Sequence, residues 1–130
     1  MKKILLIGSS GQLGKVIKKK LLKDYKLICP SKKKGFDITK KNELRKYISK
    51  DINYIINLSG QRESSHKNMS LTIQKGNKNI IKLVKKLNSN CIVMYFSTSL
   101  VYGNSAKLKK EKSKKKPIFY YEKAKYIAEK

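Results

Sequence analysis

Several residue types that would fix a chemistry quickly are scarce in this chain. Only two cysteines occur, Cys29 and Cys91, and both sit in apolar, strand-like stretches. They offer neither a disulfide framework nor zinc-ligand spacing, so buried structural thiols in a cytoplasmic protein are expected. No apolar run reaches the length of a membrane span, and none is expected to cross or bind a membrane. The early run from Ile4 to Ile7 ends in a glycine turn, too soon for a secretory signal. The single histidine, His66, lies in the polar stretch Gln61 to Ser70 with no partners for a triad or a metal. It reads as a solvated loop residue, and no metal site is expected. Arginine is nearly absent: of 33 basic residues, all but Arg45 and Arg62 are lysine.

That last scarcity bears on the charge. Eight acidic residues leave a formal net charge of +25, which raises nucleic-acid binding as a function. Arginine, however, is the side chain that reads phosphates and bases in bidentate fashion. Here the lysines are spread over most segments, alongside abundant isoleucine and asparagine, as a bias towards A- and T-rich codons would produce. Salt-sensitive adhesion to polyanions is expected; specific nucleic-acid recognition is not. With 130 residues, 39% of them hydrophobic, and no internal repeat, the chain reads as one domain with a modest core.

What is present centres on Lys3 to Gly14. Ile4 to Ile7 reads as a strand buried on both faces. Gly8, Gly11 and Gly14 follow at GxxGxxG spacing, and Leu13, Val16, Ile17 and Leu21 recur at helical intervals. A phosphate close to backbone N–H groups requires side chains to be missing from the turn. The helix that follows adds its own free N–H groups and the positive end of its dipole.

The rest of the chain alternates strand and helix. Lys26 to Cys29 is a second strand, ended by Pro30, and Ser31 to Gly35 is a basic loop. In a Rossmann unit this loop faces the adenosine ribose, where an acidic residue would hold the 2′-hydroxyl of NAD. None occurs before Asp37; Ser31, Lys32, Lys33 and Lys34 can pair with a 2′-phosphate, which favours NADP, with NAD the alternative. Thr39 is placed to cap a helix with Leu44, Tyr47 and Ile48 on its apolar face. Tyr54 to Leu58 is a third strand, followed by the small residues Ser59 and Gly60. Ile73 to Leu87 is a longer helix, stopped by Asn88-Ser89-Asn90, and Cys91 to Phe96 is a fourth strand. A lysine-rich loop, Asn104 to Lys116, leads to a last helix from Tyr120 to Glu129. The alternation predicts an α/β fold, a Rossmann-like doubly wound parallel sheet with helices on both faces.

Five segments in order resemble the extended branch of the short-chain dehydrogenase/reductase superfamily, which holds the NAD(P)-dependent sugar epimerases, dehydratases and reductases. Gly8-x-x-Gly11-x-x-Gly14 resembles its cofactor turn, and Asp37-Ile38 the acidic-apolar pair beside the adenine. Asn57-Leu58-Ser59-Gly60 resembles the NxAG segment, and Ser97-Thr98-x-x-Val101-Tyr102-Gly103 the STxxVYG segment. Tyr121 and Lys125 fit YxxxK, with Glu129 fitting the KxxxE that follows. Within the branch the chain looks most like the dTDP-4-dehydrorhamnose reductases. The resemblance implies a nucleotide-sugar substrate and NADP or NAD as cofactor. It implies contacts to that cofactor from Gly8, Gly11, Gln12, Leu13, Gly14, Ser31, Lys32, Asp37, Ile38, Leu58, Ser59, Gly60, Tyr121 and Lys125. Tyr121 would be the acid/base, Lys125 its helper, and Thr98 a hydrogen-bond donor to the substrate oxygen. Tyr121 and Lys125 are a helical turn apart, and an ammonium beside a phenol favours the phenolate. Family members continue past this helix with further strands and a substrate region. Residues 1–130 are thus expected to form the cofactor-binding domain, with the fourth strand an open edge. A homo-oligomer or a C-terminal partner segment is expected to cover that edge.

Overall fold

The computed structural model describes residues 1–60, 65–88 and 90–130. Four parallel strands, β1 (Lys3–Ile7), β2 (Lys26–Ile28), β3 (Tyr54–Asn57) and β4 (Ile92–Tyr95), form one sheet in the order β2-β1-β3-β4. Leu5 lies opposite Ile28 on one side and Ile55 on the other, and Ile55 lies opposite Val93. The chain reverses spatial direction after β2, so β1 and β3 are central. Their alternating side chains feed two cores. Leu5, Ile7 and Ile55 pack with Leu44 of α2 (Lys41–Arg45) and with Ile80, Leu83 and Val84 of α4 (Gly76–Leu87). Ile4, Leu6 and Ile56 pack against Ile17 and Leu21 of α1 (Gln12–Leu21). The doubly wound parallel fold expected from the alternation is the fold observed.

Four details differ from the sequence reading. Leu13 and Val16 are about half exposed, at 49% and 58%. Helix α1 meets the sheet along Gly14, Ile17 and Leu21. Leu13 and Val16 each stand one residue, about 100° of helix, away from that line. Thr39 does not cap α2; its hydroxyl and N–H both donate to Asp37. The helix itself ends at Arg45, yet Tyr47 and Ile48 still reach the core through the tightened turns that follow.

The third difference lies in the stretch read as a polar loop. A helix α3 (His66–Ser70) begins there, with Ser65 Oγ accepting from the Asn68 N–H at 3.3 Å. It runs through a π-helical turn, Leu71–Lys75, directly into α4. Met69 and Ile73, four apart and both buried, supply the apolar contact that makes this segment helical. They pack against Ala124 of α5 (Tyr120–Glu129). Gln61 to Ser64, the first part of that loop, and Ser89 of the expected helix stop lie outside the described residues. Fourth, Cys29 is only half-buried, whereas Cys91 is buried; both are free thiols.

Strand β4 is one of the two sheet edges, with β2 the other. Ile92 and Met94 of β4 stand in register with Tyr54 and Ile56, on the α1 side, and are 55% and 44% exposed. No helix of the described residues is long and apolar enough to cross a membrane.

Candidate functional site

The turn after β1 is shaped by what its glycines leave out. Gly8 has φ of 85°, and its carbonyl accepts from the Gly11 N–H at 3.1 Å. A Cβ on Gly8 would stand 2.9 Å from the Leu58 carbonyl carbon, so the turns after β1 and β3 touch backbone to backbone. A Cβ on Gly14 would stand 2.1 Å from the Gly8 oxygen, so only glycine lets α1 start this close behind the turn. The turn after β3 is held by Asn57, which is buried. Its Oδ1 accepts from the Ser59 N–H at 3.1 Å and the Ser59 hydroxyl at 2.6 Å.

After β2, a short 3-10 turn of Lys32–Lys34 ends at Gly35, and the chain then returns inward. Phe36 and Ile38 bury there, leaving Asp37 half-buried between them. Asp37 Oδ1 accepts from the Thr39 N–H at 2.9 Å and its hydroxyl at 2.8 Å. Burial opposes the Asp37 charge, but these two bonds, with Lys40 and Lys32 nearby, hold its carboxyl below the usual range.

These three turns enclose a cleft of about 480 Å³ at the C-terminal ends of β1, β2 and β3. Of the residues expected to hold a cofactor, Gly8, Gly11, Lys32, Asp37, Ile38, Leu58, Ser59 and Gly60 line it. Gln12 and Leu13 are exposed on the first turn of α1, and Gly14 lies behind the turn as its packing contact. The Ser31 carbonyl accepts from the N–H groups of Lys34 and Phe36, so Ser31 shapes the basic turn without lining the cleft. Asn68 and Thr72 line it as well. Sequence reasoning missed them because their segment carried no apolar run long enough to announce a helix before Ile73.

Helix α5 meets the Gly60 end of this cleft. Tyr121 is half-buried and Lys125 is buried, 3% exposed. The Lys125 ammonium donates to the Phe96 carbonyl at 2.8 Å, and lies 4.9 Å from the Tyr95 ring centre and 5.7 Å from that of Tyr121. A Cβ on Gly60 would stand 3.7 Å from the same nitrogen. Burial without a carboxylate partner pushes Lys125 down to about 8. Thr98, half-buried, caps the 3-10 turn Ser99–Tyr102, its hydroxyl accepting from the Leu100 N–H at 3.3 Å.

Other side chains fix α5 in place. Buried Glu122 accepts from the Phe119 N–H at the start of the helix. Glu129 accepts from the Ser97 hydroxyl and the Lys115 ammonium, tying the helix end to the end of β4 and to the basic loop. Burial works against the Glu129 charge, yet these two bonds keep its carboxyl below the usual range. The KxxxE spacing marked Glu129; nothing in the sequence marked Lys115. His66 is exposed, as expected, but it starts α3 instead of lying in a loop, and its ring stacks on Tyr120 at 4.0 Å and 18°. Among the described residues no group of three or more potential metal ligands occurs.

The sequence model of the NAD dependent epimerase/dehydratase family matches residues 4–130. The chain belongs to that family. Solved structures agree with this epimerase/dehydratase assignment in fold. A dTDP-4-dehydrorhamnose reductase from Clostridium acetobutylicum is 26% identical, with a TM-score of 0.85 over 98% of this chain and 47% of that one. A dTDP-4-dehydrorhamnose reductase from Bacillus anthracis, in complex with NADP, is 23% identical, with a TM-score of 0.86 over 99% and 48%. A dTDP-glucose 4,6-dehydratase from the same organism, in complex with NAD, is 21% identical, with a TM-score of 0.82 over 99% and 48%. This family member therefore spans about half the length of the structures it matches. No curated protein matches it.

Proposed function

We propose that residues 1–130 are the cofactor-binding portion of an NAD(P)-dependent nucleotide-sugar epimerase, dehydratase or reductase. The observation that carries this reading is the meeting of the glycine-turn cleft with the Lys125 end of α5 at Gly60. The cleft fits a dinucleotide in kind. It offers bare backbone and a helix start at Gly8 to Gly11, where phosphates can approach. It offers Asp37 and Ile38 for one end and the small residues Ser59 and Gly60 for the other. Lys32 lines the ribose end beside Asp37, and supports NADP over NAD.

When bound, the nicotinamide supplies a carbon that gives or takes hydride. The chain's own residues handle the proton. Tyr121 would accept the proton of a sugar hydroxyl as hydride leaves its carbon, and return it in the reverse direction. Lys125 would favour the phenolate form of Tyr121 and hydrogen-bond a ribose hydroxyl, exchanging its bond to the Phe96 carbonyl. Thr98 would donate to the substrate oxygen and fix the carbon that reacts. A second reading is a dinucleotide-binding module that performs no turnover alone.

Titration with NADPH and NADH, read by cofactor fluorescence, tests the binding claim. Saturable binding lost in Gly11→Asp is expected, with NADPH the tighter ligand and Lys32→Ala removing most of the difference. Equal affinities would reject the preference, and no binding by the folded chain would reject the site. In an enzyme supplied with the remaining half, Tyr121→Phe is expected to stop hydride transfer while cofactor binding persists. Unchanged turnover would reject Tyr121 as the acid/base.

A further inference from the structure

Helix α5 grips the end of β4 at two points, one helical turn apart. The Lys125 ammonium donates to the Phe96 carbonyl at 2.8 Å, and the Glu129 carboxylate accepts from the hydroxyl of the next residue, Ser97. Thr98 follows directly. Its hydroxyl oxygen accepts from the Leu100 N–H at 3.3 Å, which leaves the hydroxyl proton available to a substrate oxygen. The two bonds therefore set where Thr98 stands relative to the helix that carries Tyr121. A cofactor would affect them differently. Lys125 is the group that would leave Phe96 for a ribose hydroxyl. Glu129 does not line the cleft, so a bound cofactor would not compete for it. Its two oxygens are divided, one for Ser97 and the other for the Lys115 ammonium. Lys115 is itself held. Its nitrogen lies 5.7 Å from the Tyr126 ring centre, and the N–H of its neighbour Lys116 donates to the Val101 carbonyl at 2.9 Å. Val101 belongs to the turn that Thr98 caps, so Thr98, Lys115 and Glu129 close a ring of contacts.

We propose that Glu129 and Lys115 are positioning residues for Thr98, and that the Ser97–Glu129 bond holds Thr98 beside α5 when Lys125 turns to the cofactor. That last step rests on the cofactor reading above; the two-point grip does not. Thr98 and Tyr121 would have to meet one substrate oxygen, and a misplacement of about 1 Å costs on the order of a hundredfold in rate. Ser97 is exposed, so water competes for its hydroxyl. An ionised acceptor resists that competition better than a neutral one. Burial alone would favour the protonated form of Glu129; the bonds from Lys115 and Ser97 keep it charged and aimed. Of the three ion pairs among the described residues this one has the least exposed carboxylate, at 19%. Those contacts set Lys115 apart from the lysines that only face solvent.

Hydrogen exchange over residues 97–102, read by mass spectrometry, tests the grip without any cofactor. Lys125→Met imitates the withdrawal of the ammonium from Phe96. In that variant the segment is expected to stay protected, because Glu129 still holds Ser97. Adding Glu129→Ala should speed its exchange about tenfold or more. Adding Lys115→Met should do so in part, and adding Lys115→Arg should not. Circular dichroism checks the fold of each variant, and Ser97→Ala replaces Glu129→Ala if the double variant unfolds. Equal protection with and without Glu129 would overturn the proposal, and so would full loss of protection in Lys125→Met alone. NADPH then separates the proposal from the cofactor reading. At saturation the unsubstituted chain should keep the segment protected, whereas in Glu129→Ala its exchange should rise on adding NADPH. Failure of the unsubstituted chain to bind NADPH would reject the cofactor reading, and the Lys125→Met comparison would still decide the grip. In an enzyme supplied with the remaining half, Glu129→Ala should lower kcat about tenfold and change the KM for NADPH by less than about threefold. The same loss in Lys115→Arg as in Lys115→Met would remove Lys115 from the positioning role.

Discussion

The two ends of the site are built from different materials. At the glycine end the surfaces are backbone: the turns after β1 and β3 touch where Gly8 has no side chain, and α1 starts where Gly14 has none. At the α5 end the surfaces are side chains: Lys125 on the Phe96 carbonyl, Glu129 on Ser97 and Lys115, His66 on Tyr120. A backbone surface has almost no alternative arrangement once its strands are paired. A side-chain surface is held by polar contacts that each offset a desolvation cost, and Lys125 carries such a cost with a carbonyl as its partner and no carboxylate. The first end is therefore rigid, and the second is held by groups that can exchange partners.

The contrast breaks most severely at Gly14. A Cβ there would meet the Gly8 oxygen at 2.1 Å and Ser9 Cα at 2.7 Å, both backbone atoms that cannot rotate away. Gly14→Val should force α1 off the turn. The stability loss is expected at or above the top of the ~1–3 kcal/mol range for overpacking, with NADPH binding lost. Urea denaturation and the cofactor titration check both. A folded variant that still binds NADPH would show that the turn is not the rigid element described.

The same contrast explains what was legible in the sequence. Gly8, Gly11 and Gly14 announced the first end because backbone close approach leaves glycine as its record. The sheet was legible because β1 and β3 are apolar on both faces. The start of α3 was not, because its reasons are a serine cap and the burial of Met69 and Ile73 against a helix distant in sequence. Leu13 and Val16 misled for the opposite cause: apolar residues on a helix need not face the sheet when a glycine sets the line of contact. The pairing of Tyr121 with Lys125 could be read from spacing and resemblance. The bond of Lys125 to Phe96, and its burial, required the tertiary packing of α5 on β4.

A pH scan sharpens the comparison at the second end. Lys125 titrates near 8 when folded, against an ordinary 10.5. Between these values the unfolded chain binds more protons than the folded one, so stability should rise with pH across that window. The burden from Lys125 is then full below pH 8 and relieved by about pH 10.5, on the order of 3 kcal/mol at most. Other groups titrate in the same range, so the measurement is a difference. Lys125→Met should remove this part of the slope, which is read from urea midpoints at pH 7.5 and 10. A parallel pH dependence in the two proteins would mean that Lys125 is solvated.

The smallest effect is expected beside that lysine. The Tyr95 hydroxyl is buried with no hydrogen-bond partner among the described residues, and burial raises its phenol above the usual range. Its ring, 4.9 Å from the Lys125 nitrogen, offers a π face to the ammonium. The hydroxyl and the ring thus make opposite contributions, and two substitutions separate them. Tyr95→Phe removes an unsatisfied group and keeps the ring, so stability should be unchanged or higher by up to ~1 kcal/mol. Tyr95→Leu loses the ring, so the pKa of Lys125 should fall further and the pH window found above should widen downward. Urea melts of both variants at two pH values decide the matter. A loss of more than ~1 kcal/mol in Tyr95→Phe would mean that the hydroxyl has a partner, such as a buried water, and that this end is more fixed than its contacts indicate.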